Sequence, residues 1–313
     1  MYDTIFFHLT QEQAGGIDFL AETPCFLTNV GEHYFRGNDE PKLTGYLDNL
    51  KVCLSSYSMS IKGGSLSKYS LGDNYQTLSR KSTQTAIEKV SDCLHLPIDK
   101  ARVTRLDVGT TFILNNPVDV YLSHLGALSY SKRLVEPDGL YYAQKERRLC
   151  FYDKNKEQRR EGEQIPELYR GKNVLRYEHR LTGRIPSKLG VPEVTGAMLY
   201  NKDFFKCVVD EWRSSYIDIK KINDRVVNAY FMKSVKDFKR AGLLSLIESA
   251  GGFNAMLQQI DVARKKGEIS PKQAHDLRLA MAEANSTKEG LIVPNSDIAE
   301  LNQKVDEAVK YYT

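Results

Sequence analysis

The sequence lacks most of the motifs that mark common catalytic and metal-binding proteins. Its five cysteines are widely spaced and odd in number, and no two have C-x-x-C spacing, which argues against a zinc site and a disulfide framework. Its six histidines form no H-x-H or H-E-x-x-H pattern, so histidine ligation of a metal is not expected. The chain also contains no G-x-S-x-G element and no phosphate loop ending in G-K-[ST], which speaks against an NTP-driven motor.

Long apolar runs and a strong excess of one charge are absent too. No stretch of about 18 apolar residues occurs, and no basic segment precedes an apolar run at the N-terminus, so we predict neither a membrane span nor a signal peptide. We therefore expect a cytoplasmic protein. Lys and Arg number 44 against 40 Asp and Glu, a net charge of only +4, so a polyanionic partner would have to be bound by a local basic patch.

What the chain does contain is a mixture of strand and helix patterns followed by helix patterns alone. Its 313 residues are enough for two domains. Residues 1–218 alternate strands and helices with short connections, which favours an α+β domain whose mostly antiparallel sheet has helices packed on one face. Residues 219–313 are predicted to form a small all-helical domain, with helices at residues 224–246, 254–266, 271–285 and 297–312. The charged segment 155–162 is expected to be a hairpin tip or exposed loop.

Three strand-like segments, residues 102–112, 148–154 and 173–181, carry the most informative pattern. Successive side chains of a strand point to opposite faces. The apolar set is Leu106, Val108, Leu149, Phe151, Leu175, Tyr177 and Leu181, and the polar set is Arg105, Asp107, Tyr152, Lys154, Arg176, Glu178 and Arg180. If the three strands pair in one sheet, one face gathers two carboxylates, a tyrosine and several cations.

Two interpretations of this polar face are open. It is either a solvated sheet face, in which Asp107 and Glu178 form salt bridges with neighbouring arginines, or an active site that cuts DNA with Tyr152 as the nucleophile. In the second case Asp107 and Glu178 offer hard oxygen ligands to Mg²⁺ or Mn²⁺, with Glu157 or Asp153 completing the shell. Lys154, Arg105 or Arg176 would neutralise the charge that develops on the phosphate.

A family resemblance favours the second interpretation. Thr104-Arg-Leu-Asp107, Leu149-Cys-Phe-Tyr-Asp-Lys154, Leu175-Arg-Tyr-Glu-His-Arg180 and Leu189-Gly-Val-Pro192 resemble, in order and spacing, the replication proteins of filamentous phages and their plasmid relatives, the gene II/X family. The staphylococcal rolling-circle plasmid initiators share a similar arginine–aspartate strand and a tyrosine–aspartate–lysine strand. The similarity covers residues 102–200, and the start Met-Tyr-Asp-Thr-Ile is also similar.

The resemblance implies a rolling-circle replication initiator acting in a bacterial host. Such a protein nicks one strand at a plasmid or phage origin, stays attached to the 5′ phosphate through a tyrosine, and later rejoins the ends; the family nucleophile falls on Tyr152. The implied partner is origin DNA, single-stranded or in a hairpin at the nick, with a host helicase and a second copy of the chain as further expected partners.

The remaining predictions concern DNA contacts and rival functions. Arg176 and Arg180 are expected to contact DNA at the site, and the basic helix in residues 219–313 would hold duplex DNA through Lys233, Lys236, Lys239 and Arg240, unless it is simply a solvated helix face. The rival functions are a non-catalytic origin-binding or repressor protein, and a metal-dependent nuclease that uses water.

Overall fold

The structure is a computed structural model that describes residues 1–35, 38–222, 225–227, 233–286 and 292–313. The chain forms two compact units, the first made of Met1–Lys221 and Glu300–Thr313 and the second of Ile222–Ala299. The sequence-based division placed residues 219–313 together in one C-terminal domain. In the structure, residues 300–313 instead belong to the first unit, because Tyr216 and Arg213 bind Asn302 and Asp306.

The elements follow the predicted mixture of strands and helices. The strands are β1 (Tyr2–Thr10), β2 (Thr28–Phe35), β3 (Asn38–Leu47), β4 (Leu50–Ser55), β5 (Ser58–Gly63), β6 (Arg102–Leu114), β7 (Lys132–Glu136), β8 (Gly139–Ala143), β9 (Arg147–Asp153), β10 (Asn173–Leu181), β11 (Arg225–Val227) and β12 (Ile292–Pro294). The helices are α1 (Leu66–Leu71), α2 (Arg80–Leu94), α3 (Val118–Ser123), α4 (Lys154–Glu161), α5 (Ile185–Lys188), α6 (Lys202–Ile217), α7 (Val235–Ser249), α8 (Phe253–Lys265), α9 (Pro271–Ser286) and α10 (Ser296–Tyr312).

The first unit is built on one ten-stranded sheet with the strand order β2-β3-β4-β5-β1-β6-β10-β9-β8-β7. Its neighbouring strand pairs are antiparallel. The pairs β3–β4, β4–β5, β7–β8 and β8–β9 are hairpins joined by short turns, whereas β1, β6 and β10 come together from distant parts of the chain. The predicted fold class, an α+β protein with an antiparallel sheet followed by helices, is confirmed. The condition set in the sequence analysis, that the three segments pair in one sheet, is met: β6, β10 and β9 are neighbours.

One face of these three strands forms the hydrophobic core against α6. Tyr177 lies between Phe151 and Trp212, with ring centroids 4.3 and 4.8 Å away, and its hydroxyl donates to the Trp212 carbonyl at 2.9 Å. Phe112 approaches Trp212 at 6.4 Å. These aromatic residues are at most 5% exposed. Stacked rings at such distances add attraction beyond the area that they bury, so this stack fixes α6 on the sheet.

Two local predictions were wrong. The charged segment expected as a loop is helix α4: the Asp153 side chain accepts from the Lys156 amide as N-cap, and Gly162 ends the helix in the left-handed conformation. The predicted helix at residues 224–246 instead contains β11 before α7 begins at Val235, because Val226 and Val227 pair with Val293 and Ile292 of β12.

Among the described residues, no helix has both the length and the apolar composition needed to cross a bilayer.

The aromatic stack provides a test of the fold. Phe151→Ala should lower the free energy of unfolding of the first unit by about 3–5 kcal/mol, because it removes a fully buried ring that stacks on Tyr177. Urea unfolding followed by the fluorescence of Trp212, the one tryptophan of the chain, measures the change. Tyr130→Ala, at a 99% exposed ring, should stay within about 0.5 kcal/mol of the wild type. Equal values for the two variants would contradict this account of the core.

Candidate active site

The opposite face of β9, β10 and β6 gathers the predicted polar residues. Tyr152 of β9 pairs with Arg176 of β10, which pairs with Thr111 of β6, so these three lie in one row across the sheet. Arg180 pairs with Asp107 in a second row. The alternation expected from the sequence therefore places Tyr152, Glu178 and Asp107 on the same face.

Tyr152 is held by a direct hydrogen bond to Glu178. Its hydroxyl donates to Glu178 Oε1 at 2.9 Å, and only 4% of the residue is exposed. Burial and the negative charge of Glu178 raise the pKa of Tyr152 well above its ordinary value. In the free protein this side chain is thus a neutral phenol that donates to a carboxylate.

Glu178 is kept ionised by two arginines. Arg176 Nε donates to Oε1 at 3.0 Å, and Arg180 donates to Oε2 from Nε at 2.8 Å. Burial opposes ionisation of Glu178, but the charges of Arg180 and Arg176 outweigh it and lower the carboxyl pKa to about 2.

Asp107 has its own arginine. Arg105 donates to both of its carboxylate oxygens, at 2.9 and 2.6 Å, and Arg180 Nε lies 3.8 Å from Oδ2. Burial raises the Asp107 pKa to about 6, although the hydrogen bonds and the charge of Arg105 act to lower it. Arg180 therefore links the two carboxylates that were predicted to share a metal.

Arg176 connects the site to β1, which the sequence did not predict. Its guanidinium is fully buried and donates to Asp3 at 2.9 Å and to Thr111 Oγ1 at 3.0 Å. A sequence signal for Asp3 was its carboxylate, the one acidic side chain of the first strand. Arg176 was expected to contact DNA, but the structure gives it no exposed surface, and its contacts position Glu178 instead.

We call the resulting alternation of charges the charge ladder. It consists of Asp3, Arg176, Glu178, Arg180, Asp107 and Arg105. Three carboxylates alternate with three guanidinium groups, so the ladder is neutral overall. Each carboxylate is 10% exposed or less, and burying such a charge is tolerated only when it is paired and hydrogen-bonded.

Two glycines make room for the hydrogen-bonded pair Tyr152 and Glu178. A Cβ on Gly109 would lie 2.8 Å from Glu178 Cγ and 2.5 Å from the Tyr177 carbonyl oxygen. A Cβ on Gly139 would lie 2.8 Å from Tyr152 Cβ. A glycine inside a strand often marks such a close approach, and this signal was present in the sequence.

Lys154 and Glu157 lie beside the tyrosine on α4. Lys154 is 1% exposed, its Nζ is 2.5 Å from Glu157 Oε2, and it lies 5.9 Å from the centre of the Tyr152 ring. Burial raises the pKa of Glu157, and the nearby Lys154 opposes this shift. The structure thus brings Lys154 and Glu157 to the site as predicted, but as partners of one another.

A pocket of about 290 Å³ opens over Tyr152. Its cations are Arg148, Arg160 and Arg180, and its other residues are Glu136, Asp138, Tyr141, Glu157 and Glu161. Arg148 lies over the Tyr141 ring at 4.3 Å and pairs with Glu136, while Arg160 pairs with Asp138. Arg148, Arg160 and Tyr141 were not among the predicted site residues. They are brought here by the β8–β9 pairing and by α4.

The predicted metal shell does not fit the observed contacts. Asp107 and Glu178 are bound by arginines, and Glu157 is bound by Lys154. Within the described ranges, no group of three or more His, Cys, Asp or Glu side chains is arranged to hold a metal ion. Mg²⁺ or Mn²⁺ stays a prediction from the sequence, and we assign no chemical step to it.

The predicted cations of the second unit lie on or next to α7. Lys236 and Arg240 pair with Glu283 of α9 at 3.1 and 2.7 Å, and Lys233 and Lys239 are exposed. Part of this positive charge is therefore neutralised within the unit itself.

A family model for the N-terminal part of the phage gene II replication-associated protein matches residues 1–212, more than half of the chain. The chain belongs to this family. The match contains every element of the charge ladder and Tyr152, and it identifies this gene II-type protein as a replication-associated initiator protein that acts in DNA replication. The resemblance seen in the sequence is thereby confirmed. Among curated proteins, no match to the chain was found.

The ladder of this gene II-type protein predicts unequal roles for two arginines. Arg176→Met should lower the free energy of unfolding by about 3–5 kcal/mol, because the buried carboxylates of Glu178 and Asp3 would each lose a charged partner. The matched control is Arg148→Met, whose pair with Glu136 is about 40% exposed on both sides and should contribute at most about 1 kcal/mol. Urea unfolding monitored by Trp212 fluorescence compares them. A loss below about 1 kcal/mol in Arg176→Met would contradict the ladder as a structural requirement.

Proposed function

We propose that this protein is a rolling-circle initiator that nicks one DNA strand at an origin with Tyr152 and later rejoins the ends. The observation that supports the proposal most is the Tyr152 hydroxyl on the Glu178 carboxylate, at the floor of a pocket with three arginines. A tyrosine, a proton acceptor and cations for a phosphate are the groups that such a reaction requires.

The proposed reaction exchanges one phosphodiester for another. The Tyr152 oxygen attacks the phosphorus of the scissile linkage, the bond from phosphorus to the 3′ oxygen breaks, and the 3′ oxygen takes up a proton. The product is a 5′-phosphotyrosyl ester and a free 3′ hydroxyl. Because the number of ester bonds is unchanged, attack by a 3′ hydroxyl on the phosphotyrosine restores the strand without an external energy source.

Glu178 is the acceptor for the phenol proton by position, but the free protein holds the pair in an unreactive state. The Glu178 pKa of about 2 and the raised pKa of Tyr152 make proton transfer unfavourable. Arg180 is the partly exposed member of the ladder at this pocket, with 29% of its side chain accessible. A phosphate that binds Arg180 would weaken its hold on Glu178 and raise the Glu178 pKa, so that DNA binding itself prepares the base.

The pocket arginines can accept a phosphate at little cost. Arg148 and Arg160 are paired with Glu136 and Asp138 through partly exposed contacts, and such pairs contribute little to stability. A DNA phosphate can therefore replace a carboxylate as their partner, and the pocket arginines can stabilise the charge of the transition state. Lys154 adds a buried positive charge beside the Tyr152 ring, and Arg105 acts through Asp107 rather than on the phosphate.

The other predicted partners belong to the same proposal. Origin DNA, unpaired at the nick, is the substrate, and the exposed Lys233 and Lys239 of the second unit would contact its duplex part. A host helicase and a homodimer, the remaining partners predicted from the sequence, are carried over from the family resemblance. The cytoplasm of a bacterial host is the location that this function requires.

The decisive test is a covalent adduct assay. Incubation of the protein with supercoiled origin DNA or its single-stranded nick region, with Mn²⁺ added, should yield a protein–DNA adduct on a denaturing gel, with peptide mapping placing the DNA on Tyr152. Tyr152→Phe should abolish the adduct because it removes the attacking oxygen. Tyr141→Phe, in the same pocket, should retain it. An adduct that persists in Tyr152→Phe and disappears in Tyr141→Phe would assign the nucleophile to Tyr141.

The same assay separates the rival functions. Cleavage without an adduct would indicate a nuclease that uses water, and binding without cleavage would indicate a non-catalytic origin-binding or repressor protein. Either result would overturn the proposed tyrosine mechanism.

The role of Glu178 has its own test. Glu178→Gln keeps a hydrogen-bond acceptor for Tyr152 but removes the base, so the rate of adduct formation should fall by about 10²–10⁴-fold while DNA binding is retained. Glu146→Gln, which loses only an ion pair with the exposed Arg184, is the matched control and should keep the wild-type rate. A Glu178→Gln variant that folds normally and forms adducts at the wild-type rate would exclude Glu178 as the proton acceptor.

A further inference from the structure

A second, larger pocket lies on the first unit, and the proposed chemistry does not use it. Its volume is about 420 Å³. We call it the tyrosine pocket, because its lining includes Tyr75, Tyr169, Tyr311 and Tyr312 together with Thr111 and Lys304. Tyr311 and Tyr312 end helix α10, and Thr111 belongs to β6.

The tyrosine pocket exists because β6 extends beyond the segment that pairs with β1. The pairing ends at Tyr2 with Val108, followed by one bond from the Gly109 amide to the Met1 carbonyl, whereas the pairing with β10 continues to Leu114. The part of β6 beyond Gly109 therefore forms one wall of a depression. The end of α10 forms another wall, anchored where the Tyr312 hydroxyl meets Thr77 Oγ1 at 2.8 Å.

The tyrosines are arranged as a stacking surface. Tyr75 is buried and stacks on Tyr169 with a centroid distance of 4.6 Å and an angle of 25°, so it supports the partly exposed Tyr169 from below. Tyr311 meets Tyr312 edge to face at 4.9 Å and is 77% exposed. An aromatic ring that exposed contributes little to the core, whereas flat ligands such as nucleobases stack well on it.

The tyrosine pocket is next to the proposed nucleophile. Tyr152, Arg176 and Thr111 lie in one row across three adjacent strands, so Thr111 is about 10 Å from Tyr152 along the sheet. Lys154 Nζ lies 5.7 Å from the Tyr75 ring centre and 5.9 Å from that of Tyr152. A single strand whose phosphate lies at Tyr152 can therefore bring a base within a few nucleotides of the cut into the tyrosine pocket.

We propose that the tyrosine pocket binds a nucleobase of single-stranded DNA beside the nick, by stacking on Tyr311 and Tyr169. This inference rests on the proposed nicking function for its location. The hydroxyl of Thr111, which accepts from Arg176, keeps its own hydrogen to donate to a base edge, and Lys304 offers a charge to a neighbouring phosphate. Such a contact keeps the strand unpaired and in place between cutting and rejoining.

The test is a binding measurement that needs no chemistry. All variants carry Tyr152→Phe and are titrated, with EDTA present, into fluorescein-labelled oligo(dT) of about 12 nucleotides, with fluorescence anisotropy as the readout. Tyr311→Ala should weaken binding roughly 5- to 100-fold, and Tyr311→Phe should bind as tightly as the parent, because the ring and not the hydroxyl stacks. Tyr130→Ala is the matched control, since it removes a tyrosine that is even more exposed, 99% against 77%, elsewhere in the same unit.

A second oligonucleotide identifies the base as the partner. An abasic strand of the same length keeps the phosphates, so it should bind the parent more weakly and show no further loss with Tyr311→Ala. If Tyr311→Ala and Tyr130→Ala bind oligo(dT) within two-fold of each other, or if Tyr311→Ala weakens the abasic strand equally, the stacking inference is overturned. An adduct on Tyr152 in the separate assay would leave the proposed function standing in either case.

Discussion

The burial of the Glu178 carboxylate is the constraint on which the rest of this site depends. A charge removed from water must be paired and hydrogen-bonded, and Glu178 meets that requirement through Arg176, Arg180 and the Tyr152 hydroxyl. Each arginine is itself a charge that needs a partner. Arg176 binds Asp3 of β1, and Arg180 lies beside Asp107 of β6. Arg105, which binds both oxygens of Asp107, completes the charge ladder and leaves it neutral overall.

The same constraint explains why the alternation of the sequence was informative but incomplete. Because side chains alternate strictly along strands, Tyr152, Glu178 and Asp107 could be assigned to one face from the sequence alone. Which strand lies beside which is not a property of alternation, so the pairing of the three strands was a condition of the prediction that only the structure could meet. Asp3 escaped prediction because it acts across two strands, 173 residues away from Arg176 along the chain.

The errors have equally local causes. The segment that forms α4 has no apolar stripe, so hydrophobic periodicity could not reveal a helix; its signals were the Asp153 cap and the terminal Gly162. Arg176 was predicted to contact DNA because it lies on the polar face of its strand, whereas its guanidinium is buried and binds Glu178 and Asp3. The tyrosine pocket depends on where pairing with β1 stops and where α10 ends, and neither can be read from a local pattern.

The neutral charge ladder also explains why the proposed reaction would start only after DNA has bound. With all three arginines paired, the site presents a phenol whose proton cannot leave and a carboxylate that is a weak base. An incoming phosphate competes with Glu178 for Arg180, the ladder arginine that lines the pocket over Tyr152, and so changes the charge balance at the tyrosine. The new contact between Arg180 and the phosphate then offsets the free energy lost when Arg180 separates from Glu178. In this arrangement the buried ion pairs leave no carboxylate of the ladder without a partner in the resting protein and, on this proposal, couple the chemistry to the presence of its substrate.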